Sequence, residues 1–208
     1  LITLLTAYPV CYYIAFYVKK NKMLWLVLLT LTFWTSYLLR VFSWKIILGT
    51  KGVFNSTLLG AGIISEPLTF LMYSEEAVII TLTHAWAAFA LLPLYVSLEK
   101  IDFSYIEAAR DLGLSKFEVF WKVTFPLSLP GVIGAILIIF IPTVGDYVTP
   151  ALIGGTEGRM LSNMIQAYFG KINNIPLGAA SATIMLTTVI LITAIVSYTT
   201  KRLTQRLS

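Results

Sequence analysis

Long apolar runs separated by short polar ones occupy most of the chain. Leu1 to Val18 is the first run; it contains Pro9 and stops at Lys19, Lys20 and Lys22. Met23 to about Leu39 is the second, rich in leucine with Trp25 and Trp34, and it runs into Arg40, Trp44 and Lys45. Ala77 to Leu98 is the third, interrupted only by His84 and Pro93; Leu127 to about Val148 is the fourth; Leu177 to Tyr198 is the last, ending in Lys201 and Arg202. A helix needs about 20 apolar residues to cross the hydrocarbon core of a bilayer. The pattern therefore predicts an all-α integral membrane protein, a polytopic helical bundle with five visible spans in one transmembrane domain over residues 1–208. Pro130, Pro142 and Gly145 predict a kink or break in the outer half of the fourth span. Gly49 to Glu76, punctuated by Gly52, Asn55, Gly60, Gly62 and Pro67, reads as an external loop with an interfacial helix around Thr57 to Leu59. Ala151 to Pro176 cannot span as one helix, and its apolar piece Met160 to Phe169 predicts a short external or re-entrant helix.

One polar island interrupts this pattern, from Asp102 to Gly131. Ser104 with Glu107 has the spacing of a capping box, which predicts a short helix starting there. Tyr105, Ala108, Ala109 and Leu112 recur at helical spacing as one small apolar face, with Arg110 and Asp111 turned away, and Gly113 suits the left-handed position past the helix end. Ser115 and Glu118 repeat the capping spacing ahead of Phe117, Phe120 and Trp121, and Pro126 and Pro130 are expected to limit the run. The island is predicted to be helix, glycine corner, helix.

Glu107-Ala108-Ala109, then Gly113, then Val123-Thr124-Phe125-Pro126 resembles the EAA loop of permease subunits of ATP-binding-cassette importers, with Phe125 where leucine is usual. The resemblance extends through FWTSYLLRVFSW (Phe33 to Trp44), GVFN (Gly52 to Asn55) and IPTVGDYVTPALIGG (Ile141 to Gly155), which are similar to the branch that includes the spermidine and putrescine importers; relatives carrying amino acids, opines or aminophosphonates share these signatures. It implies a type I importer permease fold whose first short helix is a cytoplasmic coupling helix, within a coupling loop at 99–126 and opposite external loops at 49–76 and 151–176. It implies that Glu107, Ala108, Ala109, Asp111 and Gly113 meet the ATPase. The implied partners are an ATPase dimer, a second homologous permease and an extracytoplasmic solute-binding protein. In that family Leu1 to Val18 would be the second span. The chain opens on Leu1 and not on methionine, which points to a processed start or one lying upstream.

Composition sharpens this. Of 208 residues 58% are hydrophobic and 12% charged, a balance foreign to soluble domains. The net charge of +5 would suggest nucleic acid in a soluble protein, but these cations sit at helix ends, so lipid is the partner and nucleic acid is not. All lysines and arginines except Arg40, Lys45, Lys51, Arg159 and Lys171 fall on the side of the polar island, the bias expected of cytoplasmic loops in a bacterial inner membrane, with the C-terminus inside. Cys11 is the only cysteine, so a disulfide or cysteine metal cluster within the chain is excluded and a small buried hydrophobe is expected.

Candidate chemistry is sparse. No Walker A pattern is present, so ATP and magnesium belong to a partner ATPase, and this chain is expected to be neither an enzyme nor the holder of a cofactor or metal. His84, the one histidine, lacks acidic neighbours at helical spacing and reads as a packing residue. Asp146 lies in the outer half of the broken fourth span, where a carboxylate needs a cation, water or helix N-termini. Two readings stand: a helix cap or partner of Arg40 or Lys45, or a contact with cargo. If the cargo is a polyamine, Asp146 with Tyr147, Trp34, Tyr37 and Trp86 offers carboxylate and aromatic faces to ammonium groups. A lipid-modifying membrane enzyme would need clustered acids or histidines at an interface, which the sequence lacks. A passive channel or scaffold leaves the EAA spacing unaccounted for.

Overall fold

The computed structural model describes residues 1–207, with side chains for all but Thr32, Lys201 and residues 203–207. The described residues form helices and turns: α1 (Ile2–Phe16), α2 (Lys22–Thr30), α3 (Tyr37–Leu48), α4 (Val53–Gly60), α5 (Glu75–Glu99), α6 (Phe103–Asp111), α7 (Lys116–Val119), α8 (Phe125–Val144), α9 (Val148–Ile153), α10 (Leu161–Phe169) and α11 (Ile175–Leu207). Glu75–Glu99, Lys116–Val144 and Ile175–Thr200 are long and apolar enough to cross a membrane, and Ile2–Phe16 is a shorter apolar helix. The remaining expected span is not one helix.

Within the expected second span, Met23 to about Leu39, the helix is interrupted. α2 ends at Thr30, Leu31–Trp34 tightens into a 3-10 turn, and Ser36 has extended backbone (φ −55°, ψ 138°) before α3 begins. Hydroxyl residues crowd the break, and such side chains compete for helix carbonyls. The Thr30 hydroxyl donates to Leu26 O at 2.9 Å and Val27 O at 3.1 Å. Because α3 restarts the helix, Arg40 and Lys45 lie within it and not beyond a span's end.

The prolines of the fourth span behave differently from expectation as well. Pro126 and Pro130 do not limit the helix; it runs through both to Val144. Proline lacks an N–H and crowds the carbonyl four residues back. Ahead of Pro126 the chain widens into a π turn, Phe120–Thr124, where the Phe125 N–H reaches Phe120 O instead of Trp121 O. At Pro130 a neighbouring side chain supplies hydrogen bonds: Gly131 N–H donates to Ser97 Oγ at 3.2 Å, and Ser97 Oγ donates to Ser128 O at 3.3 Å. The break expected in the outer half falls at Gly145–Tyr147, before α9.

The chain divides into two compact units. The first comprises Leu1–Thr32, Trp86–Phe140 and Leu191–Ser208. Its buried apolar residues include Ala7, Cys11 and Ile14 of α1 and Leu91, Leu94 and Leu98 of α5. Cys11 is fully buried and its thiol donates to Leu91 O at 3.4 Å, in keeping with a small packed hydrophobe. The Tyr8 hydroxyl shares a 2.8 Å hydrogen bond with Ser128 Oγ.

The second unit comprises Phe33–Ala85 and Ile141–Ile190. Buried Asn55, from the GVFN stretch, clasps its loop: its amide donates to Gly49 O at 3.2 Å and Leu68 O at 3.3 Å, and its carbonyl accepts the Leu68 N–H at 2.8 Å. The expected interfacial helix of this loop is α4. His84 is exposed and meets the Trp44 ring edge-on at 5.4 Å, a surface packing contact. α11 is a long apolar helix whose membrane-length window buries none of its residues within the chain.

Candidate functional site

Two local structures hold the candidate residues, one in each unit. In the first unit α6 is a helix of two and a half turns capped by Asp102, whose carboxylate accepts the Ser104 N–H at 2.9 Å. This replaces the expected Ser104–Glu107 capping box: the helix starts at Phe103, so Ser104 is already inside it. The D-x-S spacing is itself an Asx cap signature that the capping-box reading passed over. Accepting the Ser104 backbone and side-chain donors holds the Asp102 carboxyl below its ordinary range.

The buried stripe of α6 also differs from the expected Tyr105–Ala108–Ala109–Leu112 face. Ile106 and Ala109 point inward and form a small core with Val119, flanked by Phe16, Leu114 and Val123. Ala109 is common to both stripes, but Tyr105 and Leu112 are 59% and 84% exposed. Glu107, Ala108 and Asp111 stand exposed beside them, and Glu107 accepts no hydrogen bond among the described residues, so it does not cap its own helix. The outcome has a simple cause. A helix lying over a hairpin turns one narrow stripe inward, and Phe16 of α1 selects the stripe carrying Ile106.

Gly113 has φ +85°, the left-handed corner predicted for it, and its N–H bonds to Arg110 O at 2.8 Å. The second helix opens with the predicted capping box: Glu118 N–H donates to Ser115 Oγ at 3.3 Å, and Ser115 N–H donates to Glu118 Oε2 at 3.0 Å. The Ser115 donors and the Lys122 ammonium, 3.1 Å away, hold the Glu118 carboxyl down at about 2. The cap therefore stays ionised at every pH where a cell lives. The hairpin is rigid underneath and carries an outer surface of exposed apolar side chains, Phe103, Tyr105, Leu112 and Phe117, among Glu107, Arg110 and Asp111. A monomer leaves such a surface bare where another protein covers it.

In the second unit the signature stretches Phe33–Trp44 and Ile141–Gly155 meet. Asp146 is 8% exposed. Its Oδ1 accepts the Val148 N–H at 2.9 Å and the Thr149 N–H at 3.3 Å, capping α9, and its Oδ2 accepts the Tyr37 hydroxyl. Of the two readings of Asp146, the cap is the arrangement the structure contains; among the described residues no ion pair links it to Arg40 or Lys45. The Arg40 guanidinium lies over the Phe33 and Tyr37 rings at 5.6 and 5.9 Å and donates to Ala85 O at 2.8 Å.

The other aromatic candidates are not gathered around that carboxylate. Tyr147 is 45% exposed and borders a cavity of about 490 Å3 with Ser162, Gln166 and Phe169. Trp34 is 84% exposed, and Trp86 belongs to the first unit, 5.5 Å from the Phe89 ring. Sequence reasoning missed Thr149, Ser162 and Asn163, which complete the polar joint at Asp146. Their hydrogen bonds depend on α9 and α10 folding back across a glycine-rich turn, which no local periodicity announces. Lys201 and Arg206, assigned to the cytoplasmic side by charge, have side chains outside the described residues, whereas Arg202 stacks on Tyr198 at 4.8 Å.

The family model of the binding-protein-dependent transport system inner membrane component matches residues 4–208, and the chain belongs to that family. It is a bacterial inner-membrane, multi-pass permease of the ATP-binding-cassette importer class, and not itself an enzyme. Among named relatives it is 38% identical, over 96% of its length, to the spermidine/putrescine transport system permease protein PotB of Escherichia coli (strain K12), spanning 72% of that protein. It is 37% identical, over 99% of its length, to PotB of Haemophilus influenzae, spanning 71% of it. Among solved structures, a bacterial ABC transporter involved in the import of the acidic polysaccharide alginate superposes with a TM-score of 0.71 at 14% identity, covering 97% of this chain and 76% of that one. This likeness establishes the type I permease fold.

Proposed function

We propose that the chain is one of two permease subunits of an ATP-driven polyamine importer, carrying spermidine or putrescine by alternating access. The family membership and the names of the PotB relatives support this reading, and the observation that carries the mechanism is the exposed hairpin of α6 and α7. Its bare apolar residues and the charged Glu107 and Asp111 form the surface an ATPase cleft would grip. Ala108 and Gly113 keep that surface low, so that a partner can approach the backbone. ATP is bound with magnesium and hydrolysed in the ATPase dimer, whose opening and closing moves this hairpin.

The remaining assignments follow from the same reading. The coupling loop at 99–126 and the C-terminus face the cytoplasm. A solute-binding protein docks on the external loops at 49–76 and 151–176, and the unburied length of α11 lies against lipid and the second permease. Tyr147 and the exposed Trp34 are the aromatic faces offered to ammonium groups along the path. An amino acid, opine or aminophosphonate cargo is disfavoured by the relatives' names. Purification of the tagged chain from its native membranes in mild detergent tests the partnership. The expected result is an ATPase in stoichiometric amount; a chain that purifies without one is a channel or scaffold.

A further inference from the structure

Asp146 stands two residues past the membrane-length helix Lys116–Val144, and a cationic cargo would make its carboxylate the obvious ligand. Its geometry says otherwise. An ionised carboxylate has about four acceptor positions; here three are filled by Val148 N–H, Thr149 N–H and the Tyr37 hydroxyl, and the group is nearly enclosed. The Tyr37 oxygen is in turn 2.5 Å from Thr149 Oγ1. The backbone on either side is held as firmly: Asp146 O accepts the Ser162 hydroxyl at 2.6 Å, and Tyr147 O accepts the Asn163 amide at 2.6 Å. Three elements, α3, α9 and the start of α10, are therefore tied at one joint of four consecutive residues, 146–149.

We infer that Asp146 is a positioning residue: with Tyr37 it pins the short helix α9 to α3, and so sets the place of Tyr147 at the mouth of the adjoining cavity, without touching cargo itself. The inference rests on the transport reading for its functional consequence, though the pin itself is a statement about this chain alone. A hydrogen-bonded pin needs an acceptor for two amide donors and a partner for one hydroxyl. An asparagine supplies all of these, its carbonyl taking the amides and its NH2 donating to the tyrosine oxygen, which then turns its proton toward Thr149. A cargo site needs the negative charge, which asparagine lacks. The two roles thus separate at one substitution.

The test uses the full complex in proteoliposomes, with spermidine and putrescine as probes. If Asp146 positions, Asp146→Asn keeps KM within about twofold of wild type and most of the maximal rate, whereas Asp146→Ala and Tyr37→Phe lower the maximal rate at least about fivefold at unchanged KM. If instead Asp146→Asn raises KM about tenfold or more while Tyr37→Phe transports normally, the carboxylate meets the cargo and the inference is overturned. A second readout needs no cargo. In an Ala151→Cys background, loosening of α9 by Asp146→Ala or Tyr37→Phe speeds labelling by a water-soluble maleimide about threefold or more, and Asp146→Asn does not. Equal labelling in all variants removes the pin. Failure of the wild-type complex to move either polyamine would count against the substrate assignment and leave the labelling result standing.

Discussion

Gly113→Pro is expected to abolish ATP-driven uptake, to less than about one hundredth of the wild-type rate, while the subunit still inserts at its normal level. The corner between α6 and α7 is built on a left-handed residue at φ +85°, and proline is confined near φ −65°. Proline also removes the N–H that bonds to Arg110 O at 2.8 Å, so both constraints of the corner fail together. Insertion depends on the apolar spans and not on the corner at Gly113, which precedes the helix Lys116–Val144. The direction of α6 is what changes, and with it the Ile106–Ala109–Val119 core that seats the helix. Gly113→Ala isolates the backbone term: a Cβ there meets nothing within 4 Å, so only the left-handed strain remains, about 1 kcal/mol, and uptake should fall only modestly. Uptake assays beside immunoblots of the membrane fraction separate coupling from insertion. Normal uptake by Gly113→Pro would remove the hairpin from the mechanism.

Gly131→Leu is the second large effect, and it acts on stability. A Cβ at Gly131 would lie 2.2 Å from Ser97 Cβ and 2.5 Å from Pro93 O, one a side-chain atom rooted at the backbone and the other backbone itself. Neither can swing away. Overpacking of a tight contact costs about 1–3 kcal/mol even where side chains can adjust, and here the α5–α8 approach must open while the Gly131 N–H loses Ser97 Oγ. The substitution is expected to reduce the amount of folded subunit in the membrane about tenfold, with Gly131→Ala intermediate. Gly60→Ala is the matched control, since a Cβ there meets nothing within 4 Å. Size-exclusion profiles and thermal unfolding in detergent read the series; a Gly131→Leu protein as stable as Gly60→Ala would show that α5 and α8 do not approach as described.

The contrast between these two glycines shows which features were legible from residues alone. Gly113 stands after a short amphipathic run and before Ser115-x-x-Glu118, and its conformation is a local matter that sequence announces. Gly131 lies in an apolar stretch between prolines, and only the partner helix, through Ser97 and Pro93, reveals why it is glycine. The same division explains the errors. Capping by Asp102 and not Ser104, and burial of Ile106 and not Tyr105, turn on competition between neighbouring candidates that tertiary contact with Phe16 resolves. The 3-10 turn at Leu31–Trp34 and the π turn at Phe120–Thr124 are hidden from the sequence because composition does not record how a helical backbone is wound. Proline usually stops a helix, but the widened turn ahead of Pro126 lets this one continue.

The candidate path was legible in part for a similar reason. Asp146 stands out in any hydropathy reading, but whether a buried carboxylate serves cargo or backbone depends on which donors reach it. Tyr37 lies 109 residues away in sequence and meets it only in the folded unit. In this chain Tyr37 and Asp146, each inside one of the signature stretches, meet to make a joint.

The most direct measurement of the central claim is spermidine uptake into proteoliposomes holding the purified subunit with its ATPase, second permease and binding protein. Uptake is expected to require ATP hydrolysis, to stop with a non-hydrolysable analogue, and to be lost in an Ala108→Glu variant whose ATPase still hydrolyses ATP. Uptake that continues without ATP, or that Ala108→Glu leaves intact, would contradict the claim.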